Sequence, residues 1–131
     1  MMKVLQPPGW PRPKGYSNGI SARGRMSFTA GVIGWDEQEM IVSHRLDEQF
    51  GQALRNIAAI LAEDGAGPQH IVRLTIYVTD RSQYLAQRDE LAPIWKSVMG
   101  AHFPAVALVE VSGLVNGSAL VEIEATAVVP D

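Results

Sequence analysis

Acid–base chemistry in this sequence depends on a few carboxylates that alternate with apolar residues near its end. Glu122 and Glu124 stand in the segment Leu120–Val129, and Glu110 stands in an earlier alternating segment. A carboxyl group can give a proton to a reacting atom and then orient a water molecule, which is general acid–base catalysis. Carboxylates in such segments also form structural ion pairs, and Arg73 supplies a cation for one of them.

The composition excludes several other chemistries. The chain has 131 residues and no cysteine, so disulfides, thiolate zinc sites and cysteine nucleophiles are absent. The three histidines are scattered without metal-ligand spacing, and the net charge of −3 gives no support for a nucleic-acid surface. No apolar run approaches the roughly 20 residues of a membrane span, and the first residues do not resemble a signal peptide. We expect one cytoplasmic domain over residues 1–131, with neither nucleic acid nor membrane as a partner.

Two helical regions are predicted. The first covers 47–64 and ends at Gly65, and its apolar side chains recur at helical spacing. That stripe comprises Phe50, Leu54, Ile57 and Leu61. The second begins at Asp80 or Ser82 and extends to about Met99. Because Pro93 lacks an amide hydrogen, we expect a kink or two helical pieces there.

Short alternating segments predict β-strands before, between and after the helices. They are residues 3–5, 20–22, 26–30, 30–35, 71–79, 105–112 and 120–129. Gly24 separates two of them and favours a hairpin, whereas Gly31 and Gly34 indicate a bulge or a close backbone approach. Strands joined through helices imply some parallel pairing, with the helices packed on the sheet.

The two faces of the predicted sheet differ in polarity. In the last strand, one face is wholly apolar and is expected to pack against the helices. It carries Val121, Ile123, Ala125, Ala127 and Val129. The other face mixes apolar and charged residues. We expect on it Leu120, Glu122, Glu124, Thr126 and Val128, then Val106, Leu108 and Glu110, then Ile71, Arg73, Thr75 and Tyr77. An exposed patch of that size indicates an interface, so a homo-oligomer with charged residues in a cleft is expected; a solvated face is the alternative.

Several segments resemble the Rid/YjgF family, also labelled endoribonuclease L-PSP-like, in order and spacing over almost the whole chain. They include Gly15-Tyr16-Ser17, Thr29-Ala30-Gly31, residues 72–80 (VRLTIYVTD), Phe103-Pro104-Ala105 and, most specifically, residues 121–127 (VEIEATA). The resemblance implies an α+β, chorismate-mutase-like fold with a mixed sheet of about six strands and two helices on one face. It also implies a homotrimer whose sheets form a barrel, with a site in each inter-subunit cleft.

The resemblance also implies a reaction. Members of the best-known type hydrolyse 2-imino acids to 2-keto acids and ammonia without a cofactor, and an arginine after the Pro-Ala pair clamps the substrate carboxylate. This sequence has Val106 there, Leu108 where cysteine is frequent, and Arg88 where asparagine is usual. Tyr16 and Glu122 stand at matching positions. The segments LQPPGWPRPKGYSNG and AGVIGWD further resemble proteins described as 2-aminomuconate deaminases.

We therefore expect Glu122 to relay protons to a small carboxylate-bearing enamine or imine. The expected substrate contacts are Tyr16, Asn18, Gly31, Arg73, Arg88, Val106 and Leu108. Each role has a structural alternative. In the alternative for Glu122, it forms a structural ion pair with Arg73 at the interface, where Glu110 and Glu124 are also expected to form ion pairs. In the alternative for Tyr16, the side chain only packs at the interface. Asn18 is otherwise a turn residue, and Arg88 a solvated helix arginine.

Three candidate functions are expected from the sequence, in decreasing order of support. The first is a cofactor-independent hydrolase, a deaminase of an enamine or imine resembling 2-aminomuconate. The second is a non-catalytic trimer that binds a small carboxylate, which the valine at position 106 favours. The third is the endoribonuclease of the family label; the acidic balance and the absence of a histidine pair argue against it.

Overall fold

The computed structural model describes residues 2–131, which form seven strands, three α-helices and one short 3-10 turn. The strands are β1 (Met2–Leu5), β2 (Gly19–Ala22), β3 (Arg25–Phe28), β4 (Val32–Ile33), β5 (Ile71–Val78), β6 (Ala105–Glu110) and β7 (Val121–Val129). The helices are α1 (Leu46–Ala62), α2 (Arg81–Ala86) and α3 (Arg88–Met99), and the 3-10 turn is Pro68–His70. This is the α+β class expected from the sequence.

The main sheet is mixed and has the order β3-β7-β5-β6, with β4 pairing on β7 as well. The parallel pair among its named strands is β5-β6, and α2 and α3 connect these two strands. A parallel pair needs a long crossover, which those helices provide, so the predicted parallel pairing is confirmed. Strands β1 and β2 form a separate two-stranded ribbon, and residues 2–131 contain no strand besides these two and the five of the main sheet.

The predicted hairpin around Gly24 is wrong. Strand β2 pairs with β1, where Val4 faces Ile20, whereas β3 pairs with β7. Gly24 has a φ of 149°, and a Cβ added there would lie 2.0 Å from the Val129 carbonyl oxygen. The glycine therefore allows a tight connection between the ribbon and the main sheet, and it does not form the turn of a hairpin.

The core lies between the helices and one face of the main sheet, as predicted. On β7 the inward residues are at most 4% exposed; they are Val121, Ile123, Ala125 and Ala127. They meet the apolar stripe of α1, where Phe50, Leu54, Ile57 and Leu61 are at most 2% exposed. Burial of these side chains contributes on the order of 1.5–3 kcal/mol each to folding.

The second helical region is two helices, so three cover the sheet where two were expected. Asp80 caps α2, because its Oδ1 accepts from the backbone N–H groups of Ser82 and Gln83 at 2.9 and 3.2 Å. The break lies at Gln87, whose φ of −104° and ψ of 13° are not helical. Pro93 lies inside α3. The expectation of two pieces is confirmed, but the proline does not mark the boundary.

Two strands present residues to faces other than the predicted ones. A register irregularity between Ile71 and Arg73 turns Ile71 inward, where it is 1% exposed, although simple alternation places it with Arg73. In β6, Val106 and Leu108 pair with Leu74 and Ile76 and pack partly against the core. Val106 and Leu108 therefore lie on the helix-covered face, and their expected place on the uncovered face is wrong.

None of the three helices in residues 2–131 combines the length and apolar character needed to cross a membrane.

Candidate functional site

The uncovered face of the main sheet, called here the open face, is defined by the strand registers. It carries Met26 and Phe28 from β3, Arg73, Thr75 and Tyr77 from β5, Ala105, Ala107 and Val109 from β6, and Glu122, Glu124, Thr126 and Val128 from β7. The carboxylates of the last strand and Arg73 share this face, as expected.

The apolar part of the open face differs from the prediction. Val128 is only 7% exposed, because the β1-β2 ribbon covers that end of the sheet. Leu120 precedes β7 and packs partly against the core. The exposed apolar side chains come instead from β3, where Met26 is 55% and Phe28 67% exposed, and from β6, where Val109 is 43% exposed. A face with such a rim still indicates an interface.

Glu122 occupies the middle of this face. It is half-buried, and its neighbours across the strands are Tyr77 on β5 and Ile33 on β4. Gly31 lies directly against it: a Cβ added to Gly31 would stand 2.4 Å from Glu122 Oε2. Residues 2–131 provide no hydrogen bond or ion pair to the Glu122 carboxylate. The close approach predicted for Gly31 is therefore to this carboxylate.

Glu124, two residues along, is held differently. The Tyr77 hydroxyl donates a hydrogen bond to Glu124 Oε1 at 2.7 Å. That bond raises the pKa of Tyr77 above its ordinary value, with further contributions from burial and from the charges of Glu124 and Glu122. The phenol stays protonated through neutral pH and keeps Glu124 in a fixed position.

Arg73 does not pair with these glutamates in one chain. It is exposed, it faces Thr126 across β5 and β7, and residues 2–131 offer it no ion-pair partner. Glu122 lies four residues further along β7, which at the rise of a strand is about 13 Å. Arg73 therefore does not neutralise Glu122 within one chain, and the alternative in which the two pair across an interface stays a prediction.

A second group of residues lies at the outer edge of β6, and we call it the edge cluster. It joins four predicted residues, Tyr16, Asn18, Val106 and Leu108, to Phe103, which was not predicted as a site residue. The N-terminal arm is fixed there because the Ser17 N–H donates to the Pro104 carbonyl at 3.0 Å and its Oγ donates to the Phe103 carbonyl at 2.5 Å. Phe103 in turn stacks on Trp95, with 6.3 Å between ring centroids.

Within the edge cluster, Tyr16 is 43% exposed and available for contact. Asn18 donates to Gln6 Oε1 at 3.0 Å, which favours its structural alternative. Val106 and Leu108 are half-buried and provide an apolar wall without a cation. The cluster can therefore hold a flat or apolar group, and only the tyrosine hydroxyl adds polarity.

The edge cluster and Glu122 do not meet in one chain. Ser17 is in register with Ala105, Arg73 and Thr126, so three strand spacings and four residues separate Tyr16 from Glu122. Their backbones are roughly 20 Å apart at ordinary strand dimensions. No small substrate can touch both within the same chain.

The remaining predicted residue, Arg88, belongs to neither group. It is exposed at the first position of α3, on the helix side of the sheet, near Tyr84. Its alternative as a solvated helix arginine agrees with this position. Residues 2–131 contain no cluster of His, Asp or Glu arranged to hold a metal ion.

Sequence reasoning missed the functional association of Tyr77 with the two glutamates. Alternation placed Tyr77 on the correct face, but the sequence contains no signal for the register that pairs it with Glu122. It also missed Gln49, which is fully buried and joins α1 to two loops. Its amide donates to the Ser43 and Ser118 carbonyls at 2.8 and 3.0 Å and accepts from the Leu120 N–H at 2.7 Å.

Comparison with known proteins decides the family. The model of the Endoribonuclease L-PSP family matches residues 11–129. The crystal structure of a Rid family protein of unknown function from Yersinia pestis superposes with a TM-score of 0.86 at 30% identity, covering 98% of both chains. The chain belongs to the Rid/YjgF family. The family resemblance of the sequence is thereby confirmed.

Named relatives of this Rid chain extend the comparison. A RutC family protein of Synechocystis is 34% identical, over 98% of each chain. The 2-iminobutanoate/2-iminopropanoate deaminase of Homo sapiens is 31% identical, over 79% of this chain and 73% of the human protein. A second structure, from Mycobacterium tuberculosis, covers 88% of each chain at 33% identity with a TM-score of 0.67.

Proposed function

We propose that this Rid chain is a cofactor-independent deaminase of an enamine or imine, with Glu122 as its catalytic residue. The observation that carries the proposal is the state of that side chain: a half-buried carboxylate against the Gly31 backbone, with no partner among residues 2–131. Its oxygens are not fully buried, so water reaches them. A carboxylate that water reaches and that no protein group engages is available to exchange protons with a substrate and a water molecule.

The reaction needs only this group and water. An enamine takes a proton at carbon from the Glu122 carboxyl and becomes an iminium ion. The carboxylate then accepts a proton from water as the water oxygen bonds to the C=N carbon. Glu122 returns that proton to nitrogen. As the C–N bond breaks and ammonia leaves, the carboxylate takes the hydroxyl proton, which yields the ketone and restores the Glu122 carboxyl. A neutral imine first takes the Glu122 proton at nitrogen and then follows the same steps, so one glutamate serves throughout.

The site is shared between copies of the chain. Glu122 with Gly31 forms one half and the edge cluster with Tyr16 forms the other, and the roughly 20 Å between them is too far for one small molecule. The open face has the exposed apolar rim of an interface, with Met26 and Phe28 unprotected. We propose a homotrimer in which Glu122 of one copy faces Tyr16 of the next.

The substrate is a small molecule of the 2-aminomuconate kind, a conjugated enamine that carries carboxylates. Its flat chain suits Tyr16 and the apolar wall of the edge cluster. The wall contains Val106 and no cation, so a carboxylate must be held elsewhere. Arg73 is the better anchor, because it lies exposed on the open face without a partner in residues 2–131, whereas Arg88 is on the helix side.

A binding protein without turnover is the second candidate. The observation that favours it is Val106, which packs partly on the core beside Leu108 and leaves the β6 edge without a charged donor. Such a trimer would hold a small carboxylate through Arg73 alone and release it unchanged.

Ammonia release separates the two. Imines generated in situ by an amino-acid oxidase, and 2-aminomuconate itself, are offered to the purified protein, and ammonia is followed against the spontaneous rate. The Glu122→Gln variant is expected to lose at least 100-fold in rate, as removal of a proton relay predicts. Glu63→Gln, an exposed glutamate at the end of α1, is the matched control and keeps full activity.

Other results would contradict the deaminase or the role of Glu122. Saturable substrate binding with no acceleration in the native protein contradicts the deaminase and supports the binding trimer. RNA cleavage that persists through extensive purification supports the nuclease of the family label. Full activity of Glu122→Gln removes Glu122 from the mechanism.

A further inference from the structure

The two glutamates of the open face differ in their surroundings, although both are half-buried on the same strand. Glu124 accepts the 2.7 Å hydrogen bond from the Tyr77 hydroxyl, whereas Glu122 has no partner in residues 2–131. A hydrogen bond from a phenol fixes the orientation of the carboxylate that accepts it. Glu124 is thus a stationary negative charge beside a group that is available for proton transfer.

The spacing of the two carboxylates suits a small cation. Residues two apart on one strand face have backbones about 7 Å apart, which leaves room for a small cation between the side chains of Glu122 and Glu124. Tyr77 faces Glu122 across the strands and reaches Glu124 diagonally, so its ring closes one side of that space. Residues 2–131 place no arginine or lysine in an ion pair with either glutamate.

We propose that Tyr77 is a positioning residue that fixes Glu124 as the counter-ion of a protonated C=N nitrogen. The inference rests on the proposed deaminase and names the form in which its substrate reacts, an iminium cation. Glu124 takes no proton in this scheme, and Glu122 performs the transfers. The fixed anion favours the protonated nitrogen both when water adds to the carbon and when the C–N bond breaks to release ammonia.

The arrangement assigns Tyr77 an indirect role. Its hydroxyl proton is occupied by Glu124, so it cannot also hydrogen-bond the substrate with that proton. Removal of the hydroxyl leaves Glu124 mobile and better solvated, whereas removal of the Glu124 charge makes the Tyr77 hydroxyl irrelevant. The two substitutions therefore affect one function and are not additive.

The first test is a double-mutant cycle in kcat for ammonia release. Tyr77→Phe is expected to lower kcat about 10-fold and Glu124→Gln about 100-fold, with KM changed much less, as for lost transition-state electrostatics. The double variant matches Glu124→Gln within about twofold. Tyr84→Phe is the control, because Tyr84 is a half-buried tyrosine on the helix side without a side-chain hydrogen bond in residues 2–131.

The second test is binding, which does not require turnover. Acetamidinium is a planar cation with the shape of a protonated imine, and acetamide is its neutral counterpart. Calorimetry is expected to show acetamidinium bound at least 10-fold more tightly by the native protein, as for a desolvated charge pair. That preference falls most in Glu124→Gln, where only the Glu122 carboxylate remains, falls less in Tyr77→Phe and persists in Tyr84→Phe.

The outcomes distinguish the inference from the proposed function. Turnover with equal binding of the two probes, or a Tyr77→Phe effect that persists undiminished in the Glu124→Gln protein, overturns the inference while the deaminase stands. Selective acetamidinium binding without any ammonia release overturns the deaminase and retains a cation site at Glu124. A preference for acetamidinium that is undiminished in Glu124→Gln places the cation elsewhere and refutes the assignment.

Discussion

Substitution of Gly31 by alanine isolates the position of the Glu122 carboxylate from its chemistry. The new Cβ would stand 2.4 Å from Glu122 Oε2 and 2.8 Å from its Cδ. Because an ordinary contact begins near 3.4 Å, the oxygen must move by about 1 Å, the difference between 3.4 and 2.4. A misplacement of that size lowers catalysis about 100-fold, or roughly 2.7 kcal/mol in activation free energy.

The same substitution leaves the fold almost unchanged. Gly31 does not have a positive φ, so alanine adopts its backbone conformation without strain. Alanine also reduces the entropy of the unfolded chain, which stabilises by about 0.4–1 kcal/mol and offsets a displaced Glu122 rotamer at about 0.5–1.5 kcal/mol. The free energy of unfolding should therefore stay within about 1 kcal/mol of the native value.

Steady-state ammonia release and urea unfolding measure the two quantities separately. Gly113→Ala serves as the control, because nothing lies within 4 Å of a Cβ placed there. Full activity in Gly31→Ala would show that the carboxylate position is unimportant. A large loss of stability would show that the variant reports on folding instead of on the site.

Three further predictions concern other parts of the molecule. Gln49→Leu leaves the partly buried Ser43 and Ser118 carbonyls and Leu120 N–H without their side-chain partner and should lower the free energy of unfolding by about 1–3 kcal/mol in urea titration. No change would mean that water replaces the amide. Spectrophotometric titration should show Tyr77 ionising above its ordinary pKa in the native protein and at lower pH in Glu124→Gln; identical titrations of the two proteins would contradict the hydrogen bond as the cause. Because the pKa of Tyr77 is raised in the folded protein, its contribution to stability is present below about pH 10 and is lost as the pH rises beyond that value. Bonds from Ser27 and Arg25 lower the pKa of Asp64, so its contribution to stability is present above about pH 4 and lost below it; an Asp64→Asn protein whose acid unfolding matches the native curve would refute this.

The spacing of apolar residues in the sequence was sufficient to predict the helical regions and the core-facing side of the last strand. The stripe of α1 and the inward residues of β7 are determined by local spacing, and burial of an apolar face leaves few other solutions. Fold class follows from the same patterns, because strands joined through helices favour parallel pairing, as β5 and β6 show. These features depend on near neighbours in sequence.

Features that depend on distant pairing were not predictable. Nothing local distinguishes a hairpin at Gly24 from a passage between two sheets, since both need the same backbone freedom. The irregularity after Ile71 and the register of β6 shift side chains between faces, which alternation cannot reveal. Val106 and Leu108 were misplaced for that reason.

The candidate site likewise combines features that the sequence predicts with features that depend on distant strand pairing. Glu122 and Gly31 were each identified from residue type, position and family resemblance, but their mutual contact depends on the pairing of β4 with β7. Tyr77 joins them only through the register of β5. The distance between Tyr16 and Glu122 likewise became visible only in three dimensions, and it is what requires a second copy of the chain.

Complementation between two inactive variants tests that requirement most directly. Glu122→Gln and Tyr16→Ala proteins are unfolded, mixed in equal amounts and refolded together, and ammonia release is measured. If each site takes Glu122 from one copy and Tyr16 from the next, random assembly restores about one quarter of the native activity. If the mixture stays as inactive as its two components while forming mixed oligomers, the shared site is wrong.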